Sequence, residues 1–346
     1  MVERDGDPLD VLLRRSWHAL STDADVGEHP IAVTLLDRPL VLVRLAGKVA
    51  AFDDQCPHRG AALSLGWVSG ECLVCPYHGW HYDRDGTCVR IPSLDDVGRS
   101  PNRAHARAYA VAVHLGLIWV ALEDPVFELP QFDELDDAGM HVVACPPYEW
   151  ACNATRRLEN FLDFAHFPWI HPGILGDPEH PLVAAHTVET RGAELHVHQT
   201  RIEPANDDVK TGGLEIGETV TSEMHYRVQL PLTAQLHQSL PGGRRYAVWL
   251  TVSPVSAARA RTFWFVARNY ALDEDDEKYV RFQQDVVAQD QPIIESQRPR
   301  RIPFALRDEL HVRDDKVVVA YRRALVEHAR RAIGDATPPE ILDSIG

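Results

Sequence analysis

The segments Cys56-Pro57-His58-Arg59-Gly60 and Cys75-Pro76-Tyr77-His78-Gly79-Trp80 decide how this chain is read. Their spacing is C-x-H, sixteen residues, then C-x-x-H. Two thiolates and two imidazoles on paired turns make a soft four-ligand metal site. One occupant is structural zinc, but zinc fingers usually group their cysteines in one half and their histidines in the other. Here each half supplies one Cys and one His, which suits a two-iron cluster with one iron held by sulfur and the other by nitrogen. Pro57, Gly60, Pro76 and Gly79 make tight turns whose backbone N–H groups can reach the sulfurs.

Around these turns, residues 31 to about 122 are short apolar runs separated by turn residues. PIAVTLLDRPLVLVRLAGKVAAFDD (30–54) predicts two or three strands with turns at Asp37-Arg38 and Gly47-Lys48. HYDRDGTC (81–88) carries an Asp-Gly turn between short strands, a hairpin signal. VHLGLIWVALEDP (113–125) reads as one buried strand ended by a breaker. Residues 1–125 therefore form a small β-rich domain. Residues 126–148 hold Pro130, Pro146 and Pro147 and little periodicity, and read as a linker.

Residues 149–346 mix helix and strand. RRLENFLDFAHF (156–167) places Leu158, Phe161, Leu162 and Ala165 at helical spacing. Residues 185–270 alternate apolar and polar in strand-like runs. DEDDEKYVRFQQDVVAQDQPIIESQ (273–297) is a long helix whose acidic opening suits the positive helix N-terminus, and VVVAYRRALVEHARRAI (317–333) is a closing helix. This order predicts an α+β fold.

Composition agrees with two folded domains. At 346 residues the chain divides into two domains of about 150. Hydrophobic residues at 45% and charged residues at 25% exclude a disordered or collagen-like chain. The 35 basic and 51 acidic residues give a net charge of −16, which argues against nucleic acid or an anionic membrane as the main partner. The acidic N-terminus has no apolar signal core, and the longest apolar run, 109–122, falls short of the roughly 18 residues a span needs. Six cysteines without an export signal fit a reducing, cytoplasmic setting.

A second constellation lies at Asn160-Phe161-Leu162-Asp163-Phe164-Ala165-His166-Phe167-Pro168-Trp169-Ile170-His171, or N-x2-D-x2-H-x4-H. Asp163 and His166 are three apart and share a face on a helix. His166 and His171 are five apart and do not. Pro168 disfavours helical geometry just before it, so a local break brings His171 round. Two imidazoles and one carboxylate form a facial triad that leaves positions open on ferrous iron. Alone, H-x4-H is a weak signal in a chain with eighteen histidines.

CPHRG followed by CPYHGW resembles the Rieske [2Fe-2S] domain of aromatic-ring-hydroxylating oxygenases. The resemblance implies that Cys56 and Cys75 bind one iron of the cluster and His58 and His78 the other. Respiratory Rieske proteins add a disulfide beside these loops. This chain has Ala61 and Tyr77 there, so it is similar to the oxygenase branch, and Cys72 and Cys88 read as small buried hydrophobes. The second constellation resembles the iron motif of the same family, in the demethylase and monooxygenase branch that includes dicamba monooxygenase and vanillate demethylase. In that resemblance His166 and His171 bind a mononuclear Fe(II). Asp163 links this iron to the cluster histidine of a neighbouring subunit, His78, and Asn160 accompanies it as a catalytic residue. The stretch QDQPIIESQRP (289–299) resembles the segment that carries the third ligand, which selects Asp290 over Asp285 and Glu295.

The resemblance implies an N-terminal Rieske domain and a helix-grip-like C-terminal domain with an antiparallel sheet and long helices. It implies a terminal oxygenase component that uses O2 to hydroxylate, or to O- or N-demethylate, a small aromatic or cyclic substrate. It further implies a head-to-tail homotrimer fed by a ferredoxin or flavin reductase. No GxGxxG fingerprint is present, so NAD(P)H acts only through that reductase. The competing reading is an electron-transfer Rieske protein with a non-catalytic second domain.

The remaining histidines, including His81, His196, His198, His225, His237 and His311, are by default surface or satisfied core residues, with His196 and His198 on one strand face. His225, Gln235, His237 and Trp249 are candidates to line the substrate cavity. The arginine-rich run 298–307 either docks an acidic electron-transfer protein or only balances the chain's acidic charge. The two constellations together predict a red-brown protein with about three irons per chain and, on reduction, a Rieske-type electron paramagnetic resonance signal. About two irons would mark the electron carrier, and stoichiometric zinc without acid-labile sulfide would contradict the cluster.

Overall fold

A computed structural model of the chain describes residues 7–94, 103–204, 219–303 and 305–334. The first six residues of the acidic N-terminus, Phe304 of the arginine-rich run and residues 335–346 lie outside them. The described residues form two compact units, one within Leu13–Leu129 with Ser253–Ser256 and the other within Met1–Leu12, Pro130–Val252 and Ala257–Gly346.

The chain opens with helix α1 (Pro8–Arg14). The first unit is then built from strands β1 (His18–Thr22), β2 (Ile31–Leu35), β3 (Arg38–Leu45), β4 (Lys48–Asp53), β5 (Trp67–Ser69), β6 (Cys72–Val74), β7 (His81–Tyr82), β8 (Cys88–Arg90), β9 (Ala110–His114) and β10 (Leu117–Ala121). They form three antiparallel sheets, ordered β1-β10-β9, β2-β3-β4 and β5-β6-β7-β8. The turns joining β2 to β3 and β3 to β4 lie at Leu36-Asp37 and Ala46-Gly47, one residue earlier than expected. All four residues have positive φ, from 47° to 77°, the geometry that matches the twist of paired strands. The run 113–125 is a hairpin rather than one strand. Leu115 and Gly116 take φ of 53° and 69° and fold β9 back on β10, where strongly apolar sequence had hidden the turn. The β7–β8 turn needs Gly86, whose φ is 89° and whose Cβ, if present, would lie 1.9 Å from the Ala106 carbonyl oxygen.

The second unit contains β11 (His141–Trp150), α2 (Ala154–Leu162), α3 (Phe167–Ile170), β12 (His186–Arg191), β13 (Glu194–Pro204), β14 (Thr219–Gln229), β15 (Thr233–Leu240), β16 (Arg244–Ser256), β17 (Arg259–Arg268), α4 (Asp276–Ser296) and α5 (Lys316–Ala332). Its sheet has seven strands in the order β11-β17-β16-β15-β14-β13-β12. The fold class is α+β. The segment expected as a linker, 126–148, is largely strand from His141 onward, since β11 pairs with β17 from His141↔Arg268 to Trp150↔Ala260. Pro146 and Pro147 lack amide donors and so read as linker. The strand tolerates them because it lies at the sheet edge and its register slips between Cys145 and Tyr148.

The helix expected over 156–167 is two helices. Helix α2 begins at a cap in which Asn153 Oδ1 accepts the Thr155 amide at 3.1 Å. It ends at Asp163, whose backbone is extended (φ −90°, ψ 115°) and whose carboxylate accepts the Ala165 amide at 2.9 Å. That side-chain bond offers the chain an alternative to the next helical turn. Asp163 and His166 are therefore neighbours across a break. Helix α4 starts on Asp275, which accepts the Glu277 amide at 3.0 Å.

A buried ion network fixes α2 against α5. Glu159 accepts from Arg156 at 2.9 Å and from Arg322 at 2.5 Å, and Glu309 accepts from the same two guanidinium groups. Arg156, Glu159 and Arg322 are all buried. Burial raises the Glu309 carboxyl, but its bonds to Arg156 and Arg322 outweigh this and hold it below the ordinary glutamate value. Its contribution is complete above about pH 4.3 and is lost as pH falls through the lower folded value. Removing one partner strands buried charge, so Glu159→Ala is expected to cost about 3–5 kcal/mol in urea unfolding. A loss below about 1 kcal/mol would show that the network is spectator polarity.

Candidate active site

The two loops of the first unit are built on one pattern. In the first, the Cys56 amide donates to the Ala61 carbonyl at 2.8 Å and the Gly60 amide to the Cys56 carbonyl at 2.9 Å. In the second, the Cys75 amide donates to Trp80 at 2.9 Å and the Gly79 amide to Cys75 at 3.0 Å. Gly60 and Gly79 take φ of 72° and 71°, which only glycine adopts without strain. The loops bring all four sequence-predicted residues together. Cys56 and Cys75 are buried and their thiols interact with each other. The rings of His58 and His78 lie 4.6 Å apart, and His58 Nδ1 is buried without a hydrogen-bond partner. Desolvation raises the Cys75 thiol, opposed by hydrogen bonds from the Tyr77 and His78 amides.

Two soft sulfurs at depth and two imidazoles toward the surface fit a cluster with unlike ends. Three residues beyond the motif support it. The Tyr82 hydroxyl is 3.1 Å from Cys56 Sγ, Trp80 stacks on His58 at 4.4 Å, and Tyr77 is 64% exposed beside His78. Cys88 is buried and Cys72 half-buried.

In the second unit His166, His171 and Asp290 converge. One ligand atom from each lies within 4.8 Å of the others, with Asp290 Oδ1 3.1 Å from His171 Nε2 and 3.4 Å from His166 Nε2. His171 and Asp290 are buried. Burial raises the Asp290 carboxyl, but the two imidazoles that face it, His166 and His171, outweigh this and hold the group well below the usual carboxylate range. His171 Nε2 has no hydrogen-bond partner despite its burial. Its other nitrogen, Nδ1, lies 2.7 Å from Gln289 Oε1. An amide oxygen only accepts, so Nδ1 carries the proton and the Nε2 lone pair is free to face a cation. A neutral imidazole pair with one carboxylate fits ferrous iron.

Asp163 stands beside this triad with its side chain 40% exposed. Its Oδ2 is 4.0 Å from His166 Nδ1, beyond hydrogen-bond reach, and His166 Nδ1 is itself buried without a partner. Desolvation raises the Asp163 carboxyl. Asn160 Oδ1 accepts from Arg157 at 3.0 Å. Asp285 and Glu295 are not among the converging groups, and Glu295 instead accepts the Ala151 amide at 2.9 Å.

Depressions open on both sides of the triad. One is lined by Phe161, Met224, Tyr226, Leu236, Val248 and Phe282, with Arg201 and Gln283 as polar groups, and Gln283 donates to the Tyr246 hydroxyl at 2.6 Å. The other is lined by Glu159, Asn160, Asp163, Leu310 and His311. His166, Asp290 and Asn160 border both. His225, Gln235, His237 and Trp249 do not line the apolar cavity. Side chains alternate across a strand, and the cavity takes the other register: Met224, Tyr226, Leu236, Val248 and Leu250. Gln289, Gln283 and Tyr82 went unread because single polar residues in helix or strand carry no spacing signal.

Comparison with known proteins agrees with this geometry. Residues 16–102 match the Rieske [2Fe-2S] domain, and residues 150–331 match the vanillate O-demethylase oxygenase C-terminal domain. The chain is 35% identical over 327 residues to methylxanthine N3-demethylase NdmB of Pseudomonas putida, covering 90% of this chain and 88% of that protein. The structure of NdmA from P. putida with caffeine superposes with a TM-score of 0.84 at 30% identity, covering 98% and 99% of the two chains. Dicamba monooxygenase bound to dicamba shares the fold, with a TM-score of 0.76 at 22% identity over 93% of this chain and 99% of that one.

The chain belongs to the Rieske non-haem iron oxygenases. It is a terminal oxygenase component, an oxidoreductase with a Rieske cluster domain and a mononuclear iron domain that acts with O2 on a small molecule, its electrons supplied by a reductase or ferredoxin. Among the described residues no helix is long and apolar enough to cross a membrane. Gln289 sets the tautomer of His171, so Gln289→Leu is expected to weaken iron retention or turnover about 10–100-fold. Unchanged iron content after dialysis against a chelator, with unchanged turnover, would remove Gln289 from the site.

Proposed function

We propose that this oxygenase demethylates a small planar N- or O-methylated aromatic or heterocyclic compound, and that it works as a cytoplasmic head-to-tail homotrimer. The substrate reading rests on the apolar cavity beside the triad and on the likeness to methylxanthine N-demethylases over 90% of the chain. The Gln283 amide beside Tyr246 gives that cavity a hydrogen-bonding group suited to a ring carbonyl or ring N–H. One formaldehyde released for each O2 consumed with a methylated heterocycle is the expected stoichiometry. Ring hydroxylation without formaldehyde would exclude demethylation.

In this reading Cys56 and Cys75 hold one iron of the cluster, and His58 and His78 the other. His166, His171 and Asp290 hold the mononuclear iron. When bound, the cluster supplies single electrons and the mononuclear iron activates O2. The protein's part is orientation and exclusion. Gln289 holds the His171 proton at Nδ1, Phe161 and Phe282 keep water from the reacting face, and Gln283 orients the ring.

Asp163 and Asn160 are assigned to the polar side of the triad. The observation that carries the trimer is this second opening, where Asp163 and an exposed Leu310 border a depression that reaches His166. In this proposal a neighbour's exposed His78 docks there and donates to Asp163, and the carboxylate closes its 4.0 Å gap to His166 Nδ1 to accept from that ring as well. A head-to-tail interface of this kind closes into a ring. The converging triad argues against a pure electron carrier, which has no use for it.

Single-turnover kinetics on pre-reduced, iron-replete Asp163→Asn test the assignment. The fold and cluster absorbance are expected to persist while cluster oxidation and product formation nearly cease on addition of substrate and O2. Wild-type rates would mean that Asp163 merely ends helix α2.

A further inference from the structure

A row of histidines crosses the face of the large sheet turned away from the cavity. His198 on β13 pairs with His225 on β14, which pairs with His237 on β15, and His196 lies two residues before His198 on the same face. The rings are in contact: His198 and His225 stack at 4.3 Å, and His225 and His237 lie 5.7 Å apart. His196 Nδ1 is 3.0 Å from His225 Nε2. Hydrophobic packing does not require this arrangement, since His198 is exposed and His225 and His237 are half-buried.

Two carboxylates hold the far sides of the row. Glu194 Oε2 is 3.1 Å from His196 Nε2, and Glu134 Oε1 is 2.5 Å from His237 Nδ1. Each carboxylate fixes a ring proton on its own side, which leaves His196 Nδ1 and His237 Nε2 as lone pairs. A carboxylate behind an imidazole is the arrangement that orients histidines toward a metal and raises their basicity as ligands. Protonating several imidazoles at this spacing is unfavourable. Burial first, then His198, His237, His196 and Arg227, bring His225 down to about 4, so His225 at the centre of the row is uncharged at neutral pH.

We propose that this row binds a divalent late first-row cation of the Zn2+ class, independently of the iron site. His196 Nδ1 supplies the first ligand, and His225 Nε2, which donates to it in the metal-free state, becomes the second once its ring proton moves to Nδ1. Their 3.0 Å separation is close to that of two nitrogens each about 2.0–2.1 Å from one metal. His198 and His237 flank the pair and complete the set by side-chain rotation. The ligands come from three adjacent strands whose opposite face carries the cavity residues Met224, Tyr226 and Leu236. A bound cation therefore clamps the cavity wall from behind.

The test is calorimetric titration of Zn2+ into the iron- and cluster-loaded protein at pH 7.5, with iron content measured before and after. One zinc per chain is expected, with iron content and cluster absorbance unchanged. His225→Ala and His196→Ala are each expected to weaken binding at least tenfold. His198→Ala, at an exposed position that leaves the fold intact, is expected to weaken it as well. His180→Ala, at an exposed histidine elsewhere, is expected to change nothing. Equal zinc binding by wild type and the His196→Ala/His225→Ala double variant would overturn the proposal. So would zinc uptake matched by iron loss.

Discussion

Everything in the catalytic unit is arranged around one buried carboxylate. Asp290 is 7% exposed, and a bare anion at that depth is not tolerated in a folded protein. The two imidazoles that approach its Oδ1 at 3.1 and 3.4 Å compensate it in part, and a divalent cation between the three groups compensates it fully. Meeting that demand fixes much of the surrounding chain. Helix α2 must stop at Asp163 so that His166 and His171, five residues apart, can turn toward one point. Helix α4 must present Asp290 and Gln289 on adjacent positions, one to the cation and one to the far nitrogen of His171. The ion network of Arg156, Glu159, Glu309 and Arg322 then holds α2 in place from behind.

The same economy explains why the triad has two environments. On one side mostly aromatic and aliphatic side chains line the cavity. On the other, Asp163, Glu159 and His311 line a more polar opening. An oxygenase that receives electrons from one direction and substrate from another needs this division, because a site sealed on both faces admits no partner and a site open on both protects no reactive centre.

Much of the cluster unit was legible because its chemistry is written locally. C-x-H and C-x-x-H each occupy one turn, so spacing alone brought Cys56, His58, Cys75 and His78 together. The HYDRDGTC hairpin was equally local. Longer-range features were harder. Asp290 lies more than a hundred residues from His171, and only family resemblance selected it over Asp285 and Glu295. Gln289 carried no signal, since a helical glutamine is ordinarily solvent-facing. Strand β11 was hidden by Pro146-Pro147, whose cost is borne by a register slip at the sheet edge. The cavity face was assigned one residue out of register at His225, Gln235, His237 and Trp249. Both faces of this sheet carry polar and apolar residues, so alternation alone does not say which face lines the cavity.

The central claim is that electrons cross between chains. It is tested most directly by co-expressing two inactive variants, Cys75→Ala without a cluster and Asp290→Ala without the mononuclear iron, and measuring product formation by the purified mixed assembly. Transfer between neighbours predicts recovery to about a quarter of wild-type turnover for random equimolar mixing in a ring, because about one interface in four then joins an iron-bearing chain to a cluster-bearing neighbour. If each iron is served by its own chain's cluster, no chain in the mixture is complete, and the assembly stays as inactive as either variant alone.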